Sequence, residues 1–305
     1  MVSTAKRVVR TDFEKVKRAM ERHELLATLV LVVLLLVSCG ALSNASTSTS
    51  KFAGQRVTIV GSTALLPLAT KAADLFQQQY PGVKIDVQGG GSSVGLSAVN
   101  NNQANIGDSD IYADPSQYPN PNLTDHIVCI TPMTLIVNPD VHITSLSTQQ
   151  VINIYTGVTK NWQDVGGPNL PIVPLVKPSA SGTRALFDKY VLGTAAEVGQ
   201  PVVDTSTVVV NTVAHTPGAM SYTAVSTLNS TVKVVNLDGV SATAQNIQAG
   251  NKYKFWGFEH MYTLDNGVDA TTAYLDFMQT PQIQQLAASL GYVSASTGSA
   301  SSTQR

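Results

Sequence analysis

The chain has 305 residues, of which 43% are hydrophobic and 13% charged, and its formal net charge is −1. The length allows one large or two medium domains, and the hydrophobic content excludes a disordered chain. The near-neutral charge argues against nucleic-acid binding, which needs clustered Lys and Arg. The chain has two cysteines, Cys39 and Cys129. Two cysteines cannot form a disulfide scaffold, and we expect Cys129 to be a small buried apolar residue.

An apolar run without a charged residue lies near the start of the chain, at residues 25–37. It is too short for a membrane-spanning helix, which needs about 20 such residues. It has the length of a secretory signal core, and seven basic against four acidic residues precede it. The pattern therefore predicts export. Whether the start is Met1 or Met20 stays open.

The apolar run ends in Leu36-Val37-Ser38-Cys39-Gly40, which resembles the lipobox of bacterial lipoproteins. By this resemblance the sulfur of Cys39 carries a diacylglycerol, and its acyl chains, palmitate among them, anchor the protein stably. The alternative is an ordinary cleavage site with a chance cysteine. We expect residues 1–38 to be a lipoprotein signal peptide and residues 39–51 a lipid-anchored flexible tether. The mature protein would then be held at the outer face of the cytoplasmic membrane.

The rest of the chain alternates predicted strands and helices, which is typical of an α/β fold with a parallel sheet covered by helices. The apolar spacing predicts, in chain order, strand 56–60, helix 65–80, strand 83–87, helix 94–101 and a strand that opens at residue 106. A second block contains strands 134–137 and 172–176, helices 149–155 and 184–192, apolar β-branched runs typical of strands at 207–210 and 232–235, and closing helices near 273–278 and 283–290.

Three turns between a predicted strand and the following helix are rich in Gly, Ser and Thr, at residues 61–63, 91–93 and 181–183. A helix N-terminus has unpaired N–H groups and a partial positive charge. Glycines let an anion approach the backbone, and hydroxyls add donors. Each Ser or Thr could instead be only an N-cap. Because ligands of open α/β sheets bind beyond the carboxyl ends of the strands, the three turns together indicate one oxyanion site.

A carboxylate, Asp110, follows the third predicted strand. A carboxylate repels an anion unless that anion carries a proton, as hydrogen phosphates do and sulfate at neutral pH does not. Asp110 would accept this proton and exclude sulfate through an unpaired acceptor. The alternative is that Asp110 caps a helix or faces water. The first interpretation predicts a preference for phosphate.

The turn motifs occur in the order found in the phosphate-binding lipoproteins, the extracytoplasmic solute receptors of bacterial phosphate ABC transporters. The resemblance covers nearly all of residues 52–295 and is carried by Gly61-Ser62-Thr63-Ala64-Leu65-Leu66-Pro67-Leu68, Gly91-Ser92-Ser93-Val94-Gly95, Ile106-Gly107-Asp108-Ser109-Asp110 and Ser179-Ala180-Ser181-Gly182-Thr183-Arg184. It implies a periplasmic binding protein type II fold, in which two α/β domains enclose a ligand cleft. It also implies phosphate as ligand, no cofactor, no metal, no enzymatic activity and ABC permease subunits as partners, and we expect a monomer.

The same resemblance implies how the domains divide the chain. Domain I would comprise residues 52–129 and 255–295, and domain II residues 130–254, with a flexible tail at 296–305.

The resemblance also implies the phosphate ligands. The donors would be the side chains of Thr63, Ser92, Ser181 and Thr183 and the N–H groups of Ala64 and Gly182, with Ser62 and Ser93 adjacent and Asp110 as acceptor. The family often has an Arg four residues before the Ser of the third turn, where this chain has Lys177. Lys lacks the planar bidentate fork of Arg. The cation of the site would therefore be Lys177 or Arg184.

Two alternatives remain. Gly91-Ser92-Ser93-Val94-Gly95 also fits the G-x-S-x-G nucleophile elbow of secreted serine hydrolases, with Ser93 as nucleophile and, for instance, Asp238 and His260 as partners. The other alternative is a receptor for a related oxyanion such as sulfate or arsenate. Metal binding is not predicted, because the histidines lack ligand spacing: His126, His142, His215 and His260.

Overall fold

The computed structural model describes residues 51–198, 200–201, 205–248, 252–264 and 267–295. The predicted signal peptide, the lipobox with Cys39 and the predicted tail at 296–305 lie outside these residues, as does all but the last residue of the predicted tether. Among the described helices, none is long and apolar enough to cross a membrane.

The strands form one mixed sheet. Their bounds are β1 Arg56–Gly61, β2 Lys84–Gly89, β3 Ile106–Ser109, β4 Thr124–Val137, β5 Ser145–Leu146, β6 Val173–Val176, β7 Gln200–Pro201, β8 Ala219–Ala224, β9 Lys233–Leu237 and β10 Trp256–Thr263. The sheet order is β2-β1-β3-β10-β4-β8-β6-β7, and β9 pairs with β4 and β5. Strands β1, β2 and β3 are parallel, as expected. The expectation of a parallel sheet is wrong for β10, which lies between β3 and β4 and is antiparallel to both, and for β4, which is also antiparallel to β8 and β9.

Eight α-helices are found among the described residues. They are α1 Leu66–Gln79, α2 Ser92–Asn100, α3 Thr148–Tyr155, α4 Gly182–Phe187, α5 Ser206–His215, α6 Ala244–Gln248, α7 Asp269–Met278 and α8 Pro281–Ser289. Helix α4 continues as a π-helix over Asp188–Leu192. Helices α1, α2 and α4 each follow one of the three predicted turns, so the local order of strand, turn and helix is confirmed there.

One predicted strand is a helix. The β-branched run at 207–210 lies inside α5, whose N-cap Thr205 accepts a hydrogen bond from the N–H of Val208. Val209, Val210 and Val213 are buried against Ile136 and Leu175. Helix propensity disfavours Val by only a few tenths of a kcal/mol per residue, and burial of an apolar helix face outweighs that cost. The run at 232–235 is in a strand as expected, since β9 covers most of it.

Two large hydrophobic cores lie along the sheet, one at each end of the long strands β4 and β10. One core includes Phe76, Cys129 and Tyr274, and the other includes Tyr155, Phe187 and Tyr222. The side chain of Cys129 is a free, buried thiol, as predicted. The chain passes from one core to the other along β4, after Cys129, and returns along β10. The three Gly/Ser/Thr turns therefore lie where the two cores meet.

The second glycine of the G-x-S-x-G pattern, Gly95, lies in close contact with the strand backbone. A Cβ at this position in α2 would lie 2.5 Å from the carbonyl oxygen of Asp108 and 2.6 Å from that of Val60. Both contacts are to strand backbone, which cannot move aside. Only glycine lets the first turns of α2 rest on the ends of β1 and β3.

We expect Gly95→Ala to destabilise the protein by about 2 kcal/mol or more, although Ala favours helices, because overpacking against backbone outweighs helix propensity. Urea unfolding monitored by circular dichroism measures this. The control is Gly267→Ala, an exposed position where a Cβ makes only ordinary contact, at 3.4 Å. It should be neutral or slightly stabilising. Equal effects of the two substitutions would contradict the packing argument.

Candidate anion-binding site

The first turn joins β1 to α1 and is held from three directions. The Ser62 hydroxyl accepts hydrogen bonds from the N–H groups of Ala64 (3.1 Å) and Leu65 (2.9 Å). The carbonyl oxygen of Ala64 accepts hydrogen bonds from the hydroxyls of Ser226 (3.0 Å) and Tyr292. Ser62 thus caps the turn from within, and two residues distant in sequence fix its orientation.

The second turn joins β2 to α2 and contacts Asp110 directly. Ser92 is fully buried, and its Oγ accepts a hydrogen bond from the Asp110 N–H at 2.9 Å. The N–H of Ser93 donates to the carbonyl of Ala180 at 3.1 Å, which brings the second turn against the third. Gly91 is required here because its φ is +93° and a Cβ would lie 2.6 Å from that same carbonyl oxygen.

The third turn begins α4 and completes the contact. Ser181 caps the helix by accepting a hydrogen bond from the N–H of Arg184 at 3.3 Å. The Thr183 hydroxyl donates to Oδ2 of Asp110 at 2.9 Å. A Cβ on Gly182 would lie 2.2 Å from the Ser92 hydroxyl, so the second and third turns leave no room for a side chain between them.

Lys177 is the buried cation of this region, with a residue exposure of 1%. Its Nζ donates to the Ser206 hydroxyl at 3.0 Å. Burial lowers the pKa of Lys177 to about 8, and the nearby Asp110 carboxylate partly opposes that shift. An ammonium group without a carboxylate at salt-bridge distance is suited to meet an anionic ligand.

Arg184, the other candidate cation, is engaged elsewhere. Its guanidinium donates to the carbonyl oxygen of Lys177 at 2.8 Å and pairs with Glu197 at 2.9 Å and, more weakly, with Asp188 at 3.8 Å. The backbone of Lys177 is therefore braced by Arg184. The structure brings Lys177 to the turns and directs the Arg184 guanidinium toward two carboxylates.

Ser206 is a site residue that the sequence interpretation missed. It is fully buried at the start of α5, and its hydroxyl lies 2.9 Å from that of Thr63 and 3.0 Å from Nζ of Lys177. The available signal was Thr205-Ser206, a pair typical of a helix start. Interpreting the following run as a strand removed that signal. Ser206 gives the cluster a fourth helix N-terminus.

Comparison with known proteins identifies the family of this chain. A family model described as a PBP superfamily domain matches residues 45–282. Phosphate-binding protein PstS of Bacillus subtilis (strain 168) is 33% identical over 285 residues, covering 90% of this chain and 95% of that protein. The chain belongs to the phosphate-binding proteins of the PBP superfamily.

Solved structures agree with this family and with its fold of two α/β domains. A Clostridium perfringens protein crystallised with bound phosphate superposes with a TM-score of 0.74 at 25% identity, covering 79% of this chain and 99% of that one. An ABC-type phosphate transport receptor from Vibrio cholerae superposes with a TM-score of 0.62 at 24% identity, covering 78% and 99%. The resemblance to the phosphate-binding family and the type II fold class are confirmed.

A cavity of about 580 Å³ lies next to the candidate site and shares Asp110 with it. That cavity is lined by Asp110, Tyr112, Lys189, Tyr190, Phe258 and His260, among others, and none of the three turns lines it. Its walls are mainly aromatic and aliphatic side chains. The hydroxyl donors instead converge in the closely packed region beside it.

The hydrolase alternative is not supported. A triad needs Ser93, Asp238 and His260 linked by hydrogen bonds. Asp238 instead accepts hydrogen bonds from the N–H and hydroxyl of Thr148, and Nδ1 of His260 lies 2.8 Å from Oδ1 of Asp125. Within the described residues, no group of His, Cys, Asp or Glu could hold a metal ion.

The depressed pKa of Lys177 predicts how stability depends on pH. Below pH 8 both the folded and the unfolded chain carry this proton, and between about 8 and its ordinary value of 10.5 only the unfolded chain does. Stability therefore rises with pH across that window. Relative to Lys177→Met, the wild-type free energy of unfolding should gain about 2–3 kcal/mol between pH 7 and pH 10.

Urea unfolding of both proteins in phosphate-free buffer measures this difference, and subtracting the variant removes the contributions of Tyr and Cys ionisation. Parallel curves for the two proteins would show that Lys177 is not buried as a charge.

Proposed function

We propose that this chain is an extracytoplasmic solute-binding protein that captures inorganic phosphate for an ABC-type importer. The observation that carries the proposal is the convergence of the second and third turns and a buried lysine on one carboxylate, Asp110, with the first turn linked to that lysine through Ser206. The names of relatives support it, since the B. subtilis relative is a phosphate-binding protein and the C. perfringens structure contains phosphate. The protein is a receptor and not an enzyme, and it needs no cofactor.

The proposed phosphate ligands are mostly neutral donors. They are the hydroxyls of Thr63, Ser92, Ser181 and Ser206, the N–H groups of Ala64 and Gly182, and the ammonium of Lys177, with Ser62 and Ser93 as neighbours that shape the turns. The Thr183 hydroxyl donates its proton to Asp110 and so holds the acceptor in place. Hydrogen bonds to a charged group contribute about 1.5–3 kcal/mol each. Several of them together offset the cost of dehydrating the anion and of association.

Asp110 would make the site selective for phosphate over sulfate. Its Oδ2 already accepts from Thr183, and its Oδ1 has no hydrogen-bond partner among the described residues. A phosphate that carries a proton can donate to this oxygen, whereas sulfate can only repel it. Arsenate carries protons as phosphate does, so this device excludes sulfate and does not exclude arsenate by charge.

Phosphate would act by stabilising a closed form of the two domains. Thr183 donates to Asp110, and Thr63 meets Ser206, across the boundary between the two proposed domains, residues 52–129 with 255–295 and residues 130–254. A ligand that binds only when both domains contribute donors shifts the population toward the closed form.

The closed form would be recognised by ABC permease subunits in the membrane. The proposed anchor is a lipid on Cys39, after removal of residues 1–38, with residues 39–51 as a tether. This places a monomeric receptor at the outer face of the cytoplasmic membrane, beside the permease that it serves.

Calorimetric titration with phosphate and, separately, with sulfate tests the function. We expect phosphate to bind and sulfate to give no heat. Thr183→Ala should weaken phosphate binding by about tenfold to a hundredfold, because it removes the hydrogen bond that holds Asp110 in place. Asp110→Asn should narrow the preference for phosphate over sulfate, because an amide donates to both anions.

The protein must be stripped of ligand by unfolding and refolding before this titration. Binding of neither anion by the refolded protein would overturn the proposed function. Equal binding of both anions by the wild type would remove Asp110 from its selective role.

Ser206 offers a separate test of the fourth helix N-terminus. We expect Ser206→Ala to weaken phosphate binding by about tenfold, because the alanine no longer donates to the anion or orients Lys177. Thr212→Ala is the matched control. It lies in the same helix, is half-buried, and its hydroxyl donates to the carbonyl of Val208 at 2.8 Å. Equal phosphate affinity in the two variants would exclude Ser206 from the site.

A further inference from the structure

Three buried carboxyl groups lie together beneath the first turn. Asp108 is in β3, Asp110 directly follows that strand, and Glu259 is in β10. In the antiparallel pairing of β3 with β10, Met261 is opposite Asp108 and His260 is opposite Ser109. Asp110 and Glu259 are each one residue beyond the pair of Ser109 with His260, and the pairing of β10 with β4 has a bulge between Glu259 and His260. None of the three residues is more than 3% exposed, so water does not solvate them.

Four oxygens of this cluster have no hydrogen-bond partner among the described residues: Oδ1 of Asp108, Oδ1 of Asp110, and Oε1 and Oε2 of Glu259. The side chains of Ser62 and Asp110 lie close enough to the Glu259 carboxyl to influence its pKa. Buried carboxyl oxygens without partners are costly. A proton shared between neighbouring carboxyl groups removes that cost.

The charges in the cluster decide which group carries the proton. Burial raises the pKa of Glu259 well above its ordinary value, and the charges on Asp110 and Asp108 raise it further. Burial, and then the charge on Asp110, also raise the pKa of Asp108. Burial and mutual repulsion therefore favour the neutral forms of Glu259 and Asp108, since like charges at close range cannot all ionise.

We propose that Glu259 is a positioning residue, a neutral carboxylic acid whose O–H donates to Oδ1 of Asp110 and holds Asp110 as an ionised acceptor. This inference rests on the proposed capture of phosphate. A donor on each oxygen of Asp110, from Thr183 on one side and Glu259 on the other, stabilises the carboxylate form over the acid form. Each oxygen keeps a second lone pair for the phosphate proton.

The consequence is that sulfate stays excluded in acidic surroundings. If Asp110 became protonated, it would donate a hydrogen bond and accept sulfate as readily as hydrogen phosphate. The O–H of Glu259 opposes that protonation. It does so without adding a negative charge, which an ionised glutamate would bring against the ligand.

The other titratable groups that face Asp110 and Glu259 would not produce the same dependence of sulfate exclusion on pH. Burial raises the pKa of the Cys129 thiol in β4 and of the Tyr292 phenol, and the charge of Glu259 raises both further, so both stay neutral in acid. Lys177, which faces Asp110, has its pKa near 8 and stays charged below that value. Asp108 is the remaining acid and serves as the matched control.

The test is the ratio of sulfate to phosphate dissociation constants for the full chain, from about pH 5 to pH 8, with sulfate measured by competition against phosphate. In Glu259→Leu we expect the ratio to fall by about tenfold or more at pH 5 and to stay close to wild type at pH 8, because only the acidic side depends on the lost hydrogen bond. Glu259→Gln should rescue the ratio to within about threefold, because its amide N–H also donates to Asp110. Asp108→Asn should leave the ratio within the same limit.

Urea unfolding of each variant establishes that it is folded. A uniform loss of affinity for both anions at every pH, in Glu259→Leu and Glu259→Gln alike, would reduce Glu259 to a packing role and overturn the inference. So would a ratio in Glu259→Leu that follows the wild type down to pH 5. Failure of the wild type to bind phosphate is a different result, because it would overturn the proposed function itself.

Discussion

The hydrogen bond from Thr183 to Asp110 is the interaction on which the rest of the candidate site depends. It joins the N-terminus of α4, which packs with the core around Phe187, to the end of β3, which packs with the core around Phe76. Ser92 holds the same aspartate through its backbone N–H. One short side chain therefore fixes the second and third turns relative to each other, and the first turn follows because Ser62 is bonded to Asp108.

The candidate site also requires the backbones of the second and third turns to approach each other closely. Gly91 lets the second turn pass the carbonyl of Ala180, and Gly182 leaves space for the Ser92 hydroxyl. Side chains at these positions would separate the turns by more than the reach of a hydroxyl. The glycines are thus part of the same arrangement as the serines and threonines, since donors as short as these can only converge if the backbones nearly touch.

Burying charge beside an anion site lowers stability, and the structure limits this cost by keeping the number of charges small. Lys177 loses solvation and has a lowered pKa, while Asp108 and Glu259 have raised pKa values and stay neutral. Asp110 remains as the one carboxylate that the proposed ligand meets. The surrounding donors are neutral hydroxyls and N–H groups, which bind an anion without repelling one another. A low content of charged residues in the sequence suits this design.

Local sequence determined the parts of this protein that depend on neighbouring residues. The order of strand, turn and helix around residues 61, 91 and 181 was predictable because each turn and its helix lie within a few residues of one another, and the motif order identified the family. Tertiary structure decided the rest. The run at 207–210 became helical because burial against the sheet outweighs the strand preference of valine.

The same distinction applies within the candidate site. Ser206 meets Thr63 across 143 positions of sequence, and Glu259 reaches Asp110 only through the pairing of β10 with β3. The choice between Lys177 and Arg184 was open in the sequence because both lie near the third turn. The structure favours Lys177, because Glu197 and Asp188 engage the guanidinium of Arg184. Sequence alone determined which residue types could bind an anion. Only the packing of distant strands and helices determined which of those residues share one buried site. The reason is that a side chain's charge state and hydrogen-bond partners depend on contacts between residues far apart in the sequence.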